Sequence, residues 1–320
     1  MQALVVGAGG FIGGAVSARL ESEGHQVTRI VGSHSRAAGA PGTHVYSDGL
    51  YSMLALALQS MDLVVYAAGR ALPRQETDVD ETWRSDCVPF NQLLKVLAKN
   101  TRPVTVLLMS SGGTVYGPTR TNSPLLETAE TLPSSAYGLS RVFMEQSLRF
   151  HANQSSIRPL IFRLSNVYGP GQRYDGGSAF ILRTLMAAAG QGVLPLYGTG
   201  QQSKDFLYVE DLLAAVRRVT ELPPEAHFED PRFNICSGTS CSLLEVIETV
   251  ERVTGRQIPL QRVENSRTDV QHVHLSSTKA RELLGWQATH SLADGIAHFW
   301  NDARFVPLRQ EPPQGYSRSG

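Results

Sequence analysis

An α/β fold, with a doubly wound parallel sheet under a smaller loop-rich C-terminal region, is what this sequence predicts. Three observations carry that reading. Short apolar runs recur at 4–6, 27–31, 61–68, 104–109 and 157–164. The segments between several of them repeat apolar residues at helical spacing, as Ile12, Val16 and Leu20 do. Three glycines, Gly7, Gly10 and Gly13, separate the first run from the first helical segment. Runs of that length bounded by Gly read as buried strands, and strands alternating with helices imply parallel βαβ units.

The first strand leads into the Gly7–Gly13 loop. Glycines at these spacings let a strand turn sharply into a helix, admit a pyrophosphate close to the backbone, and let the helix pack against the sheet. Phosphate oxygens would then meet the free N–H groups and the dipole at the helix N-terminus. Gly7, Gly10, Phe11, Ile12 and Gly13 are therefore the expected dinucleotide contacts. NAD-binding folds commonly place Asp or Glu after the second strand, on the ribose 2′-hydroxyl. Here that stretch reads Gly32-Ser33-His34-Ser35-Arg36. Ser33, His34 and Arg36 would instead suit a 2′-phosphate, so NADP is expected, with NAD as the alternative.

Asp48 follows a third short strand, as an adenine contact or a turn residue. The fourth strand ends in Ala67-Ala68-Gly69, small enough for a cofactor to approach the backbone. Residues 77–100 read as helix, with Leu93, Leu94 and Leu97 on its apolar stripe. The fifth strand runs into Ser110-Ser111-Gly112-Gly113-Thr114. In such sheets ligands bind beyond the carboxyl ends of the strands, where this loop and the glycine loop both lie. Residues 118–135, rich in Pro, Thr and Ser, read as a surface loop. A helix starting near Ser135 carries Tyr137 and Arg141 on one face, four residues apart.

Past Ser165 helices are expected near 178–190, 210–220, 242–254, 277–284 and 291–301. Ser242 with Glu245 and Ser291 with Asp294 have capping-box spacing. The expected division is 1–165 for dinucleotide binding, 166–305 mainly for substrate with segments returning to the first unit, and 306–320 as a flexible tail.

Lys+Arg and Asp+Glu balance at 29 each, which gives no electrostatic case for nucleic acid. Cys87, Cys236 and Cys241 lack metal spacing and read as free thiols of a reducing compartment. No apolar run approaches the roughly 20 residues of a membrane span. The chain opens on its first strand, so no cleaved signal is expected, and a cytoplasmic location without membrane attachment follows.

A tyrosine beside a fixed cation, near a second hydroxyl and a nicotinamide, makes a hydride-transfer site. The phenol has an ordinary pKa of about 10, and a neighbouring positive charge favours its ionised form. It can trade a proton with a sugar hydroxyl or carbonyl while the cofactor carries hydride. Residues of those types occur at Tyr137, Arg141, Ser111 and Thr114.

The motifs GAGGFIG at 7–13, SSGGTVYG at 110–117, YGLSR at 137–141, FRLSNVYGPGQ at 162–172, GTGQQSKDFLYVED at 198–211 and FNICSG at 233–238 occur in that order. Over about residues 1–300 the chain resembles the extended short-chain dehydrogenase/reductases, the NAD(P)-dependent nucleotide-sugar epimerases, dehydratases and ketoreductases. The resemblance implies a Rossmann-type fold, Tyr137 as the catalytic tyrosine, and a substrate sugar carried by UDP, GDP or dTDP. It implies Ser111 or Thr114 as the hydroxyl anchor, Asn166 at the sugar nucleotide, and Arg173, Lys204 and Arg267 toward the diphosphate or sugar. It implies a homodimer as well.

The chain departs from the family pattern in four places. The motif Tyr-x-x-x-Lys reads Tyr-x-x-x-Arg, and the planar Arg fork is not interchangeable with Lys at a fitted site. The usual hydroxyl position falls on Gly112. Asp86 stands where Asn is expected. No Asp-Glu pair follows the loop hydroxyl, which argues against 4,6-dehydration. The expected function is reduction of a 4-keto sugar in polysaccharide precursor synthesis, with a 4-epimerase retaining NAD as the alternative. A catalytically silent binding protein, with Arg141 as its lesion, is a third.

Overall fold

The computed structural model of the chain describes residues 1–33, 35–70, 78–118, 123–173, 179–264, 272–303 and 305. The first half runs β1 (Gln2–Val6), α1 (Phe11–Ser22), β2 (Gln26–Val31), β3 (Thr43–Val45), α2 (Leu50–Met53), α3 (Ala55–Leu58) and β4 (Leu63–Tyr66). It continues through α4 (Val79–Thr82), a π-helical turn (Trp83–Cys87), α5 (Val88–Leu97), β5 (Val104–Ser111), α6 (Ala136–Ala152) and β6 (Ile157–Leu164). The second half runs β7 (Asn166–Tyr168), α7 (Phe180–Ala188), β8 (Leu194–Tyr197), β9 (Ser203–Tyr208), α8 (Val209–Thr220), β10 (Arg232–Ile235) and β11 (Ser240–Ser242). It ends with α9 (Leu243–Thr254), β12 (Leu260–Val263), α10 (Thr278–Leu284) and α11 (Leu292–Asn301).

Seven strands form one sheet in the order β10-β6-β5-β4-β1-β2-β3. Every pairing in it is parallel. Strand order reverses between β1 and β4, so the crevice beyond their carboxyl ends is the switch point where such sheets bind ligands. Both faces of the sheet are covered, which is why β4 is buried at every residue. Alternate residues divide between two cores. Ala3, Val5, Leu107 and Phe162 pack with Val16 and Leu20 of α1 and Val216 of α8. Leu4, Val6, Val64 and Leu108 pack with Phe90 and Leu94 of α5 and Met144 and Leu148 of α6. Each fully buried Leu or Phe contributes roughly 1.5–3 kcal/mol relative to exposure, so α6, and Tyr137 with it, is held firmly on its face.

The late strand β10 joins the large sheet, pairing with β6 from Arg232↔Ile161 to Ile235↔Leu164. Two smaller sheets, β11-β9-β7 and β12-β8, lie outside it. Both expected capping boxes form, Ser242 with Glu245 starting α9 and Ser291 with Asp294 starting α11. Trp286 and Trp300 are buried, as core anchors should be. The three cysteines are free. Among the described residues no helix is long and apolar enough to cross a membrane.

Two local expectations need correcting. The helix placed at 77–100 is described from Val79, because the Asp78 side chain caps it by accepting from the N–H groups of Asp80 and Glu81. It is also interrupted by the π-helical turn. The 118–135 segment is not simply a surface loop. Glu127 within it is 3% exposed, and its carboxylate accepts from the Asn234 N–H at 2.7 Å.

Candidate active site

The glycine loop sits at the switch point. Gly7 has φ +90°, and a Cβ there would lie 2.7 Å from the Ala67 carbonyl carbon and the Ala68 nitrogen. A Cβ on Gly13 would lie 2.2 Å from the Gly7 carbonyl oxygen. The loop is thus pressed between the end of β4 and the start of α1, with Phe11 and Ile12 opening that helix. Gly13→Ala forces backbone apart, an overpacking cost of about 1–3 kcal/mol. We expect it to weaken dinucleotide binding at least about tenfold, as measured by fluorescence titration.

Tyr137 lies in the first turn of α6, which begins because the Ser135 hydroxyl accepts from the Gly138 N–H at 3.1 Å. The same turn packs on the loop after β5. A Cβ on Gly138 would lie 2.9 Å from the Thr114 carbonyl oxygen, so Thr114 and Tyr137 are brought together. The Thr114 hydroxyl is shut from solvent without a hydrogen-bond partner among the described residues. Ser111 ends β5 and is half-buried. A Cβ on Gly112 would lie 2.5 Å from Leu275 Cδ1, so Leu275 fills the space where a side chain at 112 would begin.

Arg141 is one turn further along α6, and its Cζ lies 4.8 Å from the centroid of the Tyr137 ring. Its Nη2 donates to Asp86 Oδ2 at 2.7 Å, and both side chains are buried. Its Nη1 donates to the Ala68 carbonyl at 3.3 Å. Its Nε is buried without a partner among the described residues. Asp86 comes from the π-helical turn, a feature frequent at functional positions.

A second buried network lies directly behind this site. Glu145, two turns after Tyr137, accepts from Arg163 Nη2 at 2.7 Å and from the Ser110 hydroxyl at 2.5 Å. Burial opposes charge on Arg163, but hydrogen bonding and charge from Glu145 outweigh that and hold the guanidinium protonated above its ordinary range. Arg163 Cζ also lies 4.8 Å from the Tyr116 ring centroid, and the Tyr116 hydroxyl donates to Asn234 Oδ1 at 2.7 Å. The network ties the end of β5, α6, β6 and β10 together.

The remaining sequence candidates are spread along the same edge. Ser33, Arg36 and Asp48 are exposed around the ends of β2 and β3. Ala67 and Ala68 line the end of β4. Asn166 donates its side-chain amide to the Asp205 carbonyl at 3.0 Å, and β7 pairs with β9, which carries Lys204. Asp205 is buried, which pushes its carboxyl pKa up, while N–H donation from Ser237 and Gly238 opposes the shift. Arg173 is exposed, and Arg267 lies outside the described residues. Sequence reasoning placed Asp86 where an Asn is expected near the cofactor and Gly69 in a stretch small enough to admit one, without connecting either to Arg141. Only the fold brings those residues onto Arg141.

A nicotinamide dinucleotide fits these residues. The glycines let the loop close tightly on the end of β4 and the start of α1, and Arg141 Nε and the Thr114 hydroxyl are buried without partners among the described residues. Buried donors of that kind normally have a partner.

Comparisons with known proteins bear on the fold and the family. The chain is 34% identical over 191 residues to the dTDP-4-dehydro-6-deoxyglucose reductase of Escherichia coli, a match spanning 60% of this chain and 58% of that protein. It is 27% identical over 307 residues to the UDP-glucose 4-epimerase of Mycolicibacterium smegmatis, spanning 93% of this chain and 96% of that protein. The crystal structure of Thermotoga maritima UDP-glucose 4-epimerase with UDP-glucose shares the fold, with a TM-score of 0.84 at 24% identity over 94% of this chain and 97% of that one. MoeE5, solved with UDP-glucuronic acid and NAD, gives a TM-score of 0.82 at 25% identity over 94% of this chain and 98% of that one. The model of the NAD dependent epimerase/dehydratase family matches residues 3–236. The chain belongs to the NAD dependent epimerase/dehydratase family.

Proposed function

We propose that this protein reduces a 4-keto group on a nucleotide-linked sugar, in polysaccharide precursor synthesis, with NADPH as the donor. The observation that carries the reading is Tyr137 at the switch point, with the Arg141 guanidinium 4.8 Å from its ring centroid and the Thr114 loop packed on its helical turn. A bound nicotinamide supplies hydride to the sugar carbon. Tyr137 hands its proton to the oxygen of that carbon, and the Thr114 hydroxyl holds the same oxygen in line. Thr114 is preferred to Ser111 because its hydroxyl is buried without a partner among the described residues and its backbone packs on the helical turn that carries Tyr137. On the family resemblance, Asn166 is assigned to the sugar nucleotide and Arg173, Lys204 and Arg267 to its diphosphate or sugar, and Asn166 and Lys204 lie on paired strands.

NADPH is favoured over NADH by exposed Ser33 and Arg36 beyond β2, with no carboxylate in the 32–36 stretch. The reductase of Escherichia coli supports reduction as the net reaction. A 4-epimerase with retained NAD stands second, because the matches to epimerases run nearly the full length of the chain. Identifying the nicotinamide released when the purified protein is denatured separates the two. The reductase reading expects empty protein that binds NADPH more tightly than NADH. Near-stoichiometric NAD would overturn it in favour of the epimerase.

A cytoplasmic homodimer is part of the same reading. Leu139, Phe143 and Phe150 recur along α6. Leu139 and Phe150 are exposed, and Phe143 packs on half-exposed Trp83 with ring centroids 4.2 Å apart. We expect Leu139→Glu with Phe150→Glu to yield a monomer in sedimentation velocity where the parent chain sediments as a dimer. A dimeric double variant would rule this face out.

A further inference from the structure

Arg141 and Asp86 are the two side chains at the site that depart in type from the family pattern, and they meet each other 55 positions apart in the chain. Their union is closely fitted. Asp86 is 1% exposed, and its other oxygen accepts from the Arg70 N–H at 2.8 Å and the Ser85 hydroxyl at 2.9 Å. The carboxylate is therefore anchored before Arg141 reaches it. Gly69 completes the fit. A Cβ at that position would lie 2.4 Å from Arg141 Nη2 and 3.0 Å from Asp86 Oδ2, so the guanidinium occupies the space a side chain would take.

From these contacts we infer that Gly69, Asp86 and Arg141 are one matched unit, in which Asp86 and Gly69 are positioning residues for Arg141. The guanidinium is planar and its donors have fixed directions. With one Nη2–H committed to Asp86 and one Nη1–H to the Ala68 carbonyl, Nε is the guanidinium nitrogen that is buried without a partner among the described residues. The guanidinium itself lies between the Tyr137 ring and the Ala68 carbonyl at the end of β4, where the reacting end of a dinucleotide would enter the switch-point crevice. Asp86 also balances the charge that Arg141 brings into this dry site, since a buried charge without its partner is costly. An ammonium at 141 would be drawn to the carboxylate and the Ala68 carbonyl, with no second N–H in fixed geometry for the ligand. Arginine here is an adapted feature, and restoring lysine alone damages the site.

This inference rests on the proposed dinucleotide site, so the test reads the two ends of that site separately. NADPH, NADH and ADP are titrated against the parent chain, Asp86→Asn, Arg141→Lys, Gly69→Ala and the double variant Asp86→Asn/Arg141→Lys, with thermal midpoints measured alongside. ADP reaches the glycine loop but has no nicotinamide end. Side chains in direct contact show coupling that corresponds to about twofold to a hundredfold in affinity. The three single variants are expected to weaken NADPH at least about tenfold while leaving ADP within about twofold. The double variant replaces the pair with the family's Asn and Lys together, keeping a cation at 141 beside a neutral partner, and is expected to recover to within about threefold of the parent. The inference falls if Asp86→Asn keeps parental NADPH affinity, if it weakens ADP and NADPH equally, or if the double variant binds no better than the weaker single. Should Asp86→Asn fail to fold, Gly69→Ala and the double variant decide the matter by the same criteria. A parent chain that binds ADP but neither nicotinamide cofactor would instead overturn the proposed function, and this inference with it.

Discussion

Replacing Tyr137 with Phe is expected to lower turnover of the nucleotide sugar by about 10²–10⁴-fold, the usual worth of a positioned general acid. The substitution removes one oxygen from a half-buried side chain and keeps the ring on which the Arg141 guanidinium rests. The loss should therefore appear in kcat, with cofactor affinity and thermal midpoint close to the parent. Steady-state kinetics with a cofactor titration checks this. A Tyr137→Phe enzyme within about threefold of the parent would remove Tyr137 from proton transfer, because another group would then have to supply those several kcal/mol.

Removing Arg163 should have the largest effect on stability. Its guanidinium and the Glu145 carboxylate are each 1% exposed, and Glu145 accepts from two Arg163 nitrogens and from Ser110. Arg163→Ala strands a carboxylate in the core with one hydroxyl as partner, and breaking a buried pair in this way costs about 3–5 kcal/mol. Urea denaturation should show that loss as a lower midpoint at unchanged slope. Arg163→Met with Glu145→Met should recover much of it, since apolar residues of similar volume often replace a buried pair at little cost. A loss under about 1 kcal/mol for Arg163→Ala would mean that water reaches Glu145 in solution.

Much of the sheet was legible because its signals are local. Apolar runs marked β1, β2, β4, β5 and β6, and the serines at 135, 242 and 291 marked helix starts that their side chains cap. The glycine loop was equally legible, because close approach leaves glycine as the residue that fits. What stayed hidden depends on contacts between distant segments. No spacing in the sequence says that Asp86 reaches Arg141, that Gly69 makes room for the pair, or that Leu275 fills the space beside Gly112. The 118–135 segment misled for the same reason. Its composition is that of a surface loop, yet Glu127 is held inside by the Asn234 N–H of β10, more than a hundred residues away. The proposed preference for Thr114 over Ser111 likewise rests on the packing of Gly138 against the Thr114 carbonyl.

The most direct test of the central claim is to follow NADPH absorbance while the purified protein is supplied with nucleoside-diphosphate 4-keto sugars carried by UDP, GDP and dTDP. The account predicts that one carrier gives loss of NADPH equal to the hydroxyl sugar formed, with hydrogen from the cofactor appearing at C4 of the product. Sugar interconverted at C4 with no net loss of added NADPH would contradict the reductase and favour the epimerase. No reaction with any carrier, in protein shown to bind NADPH, would contradict both.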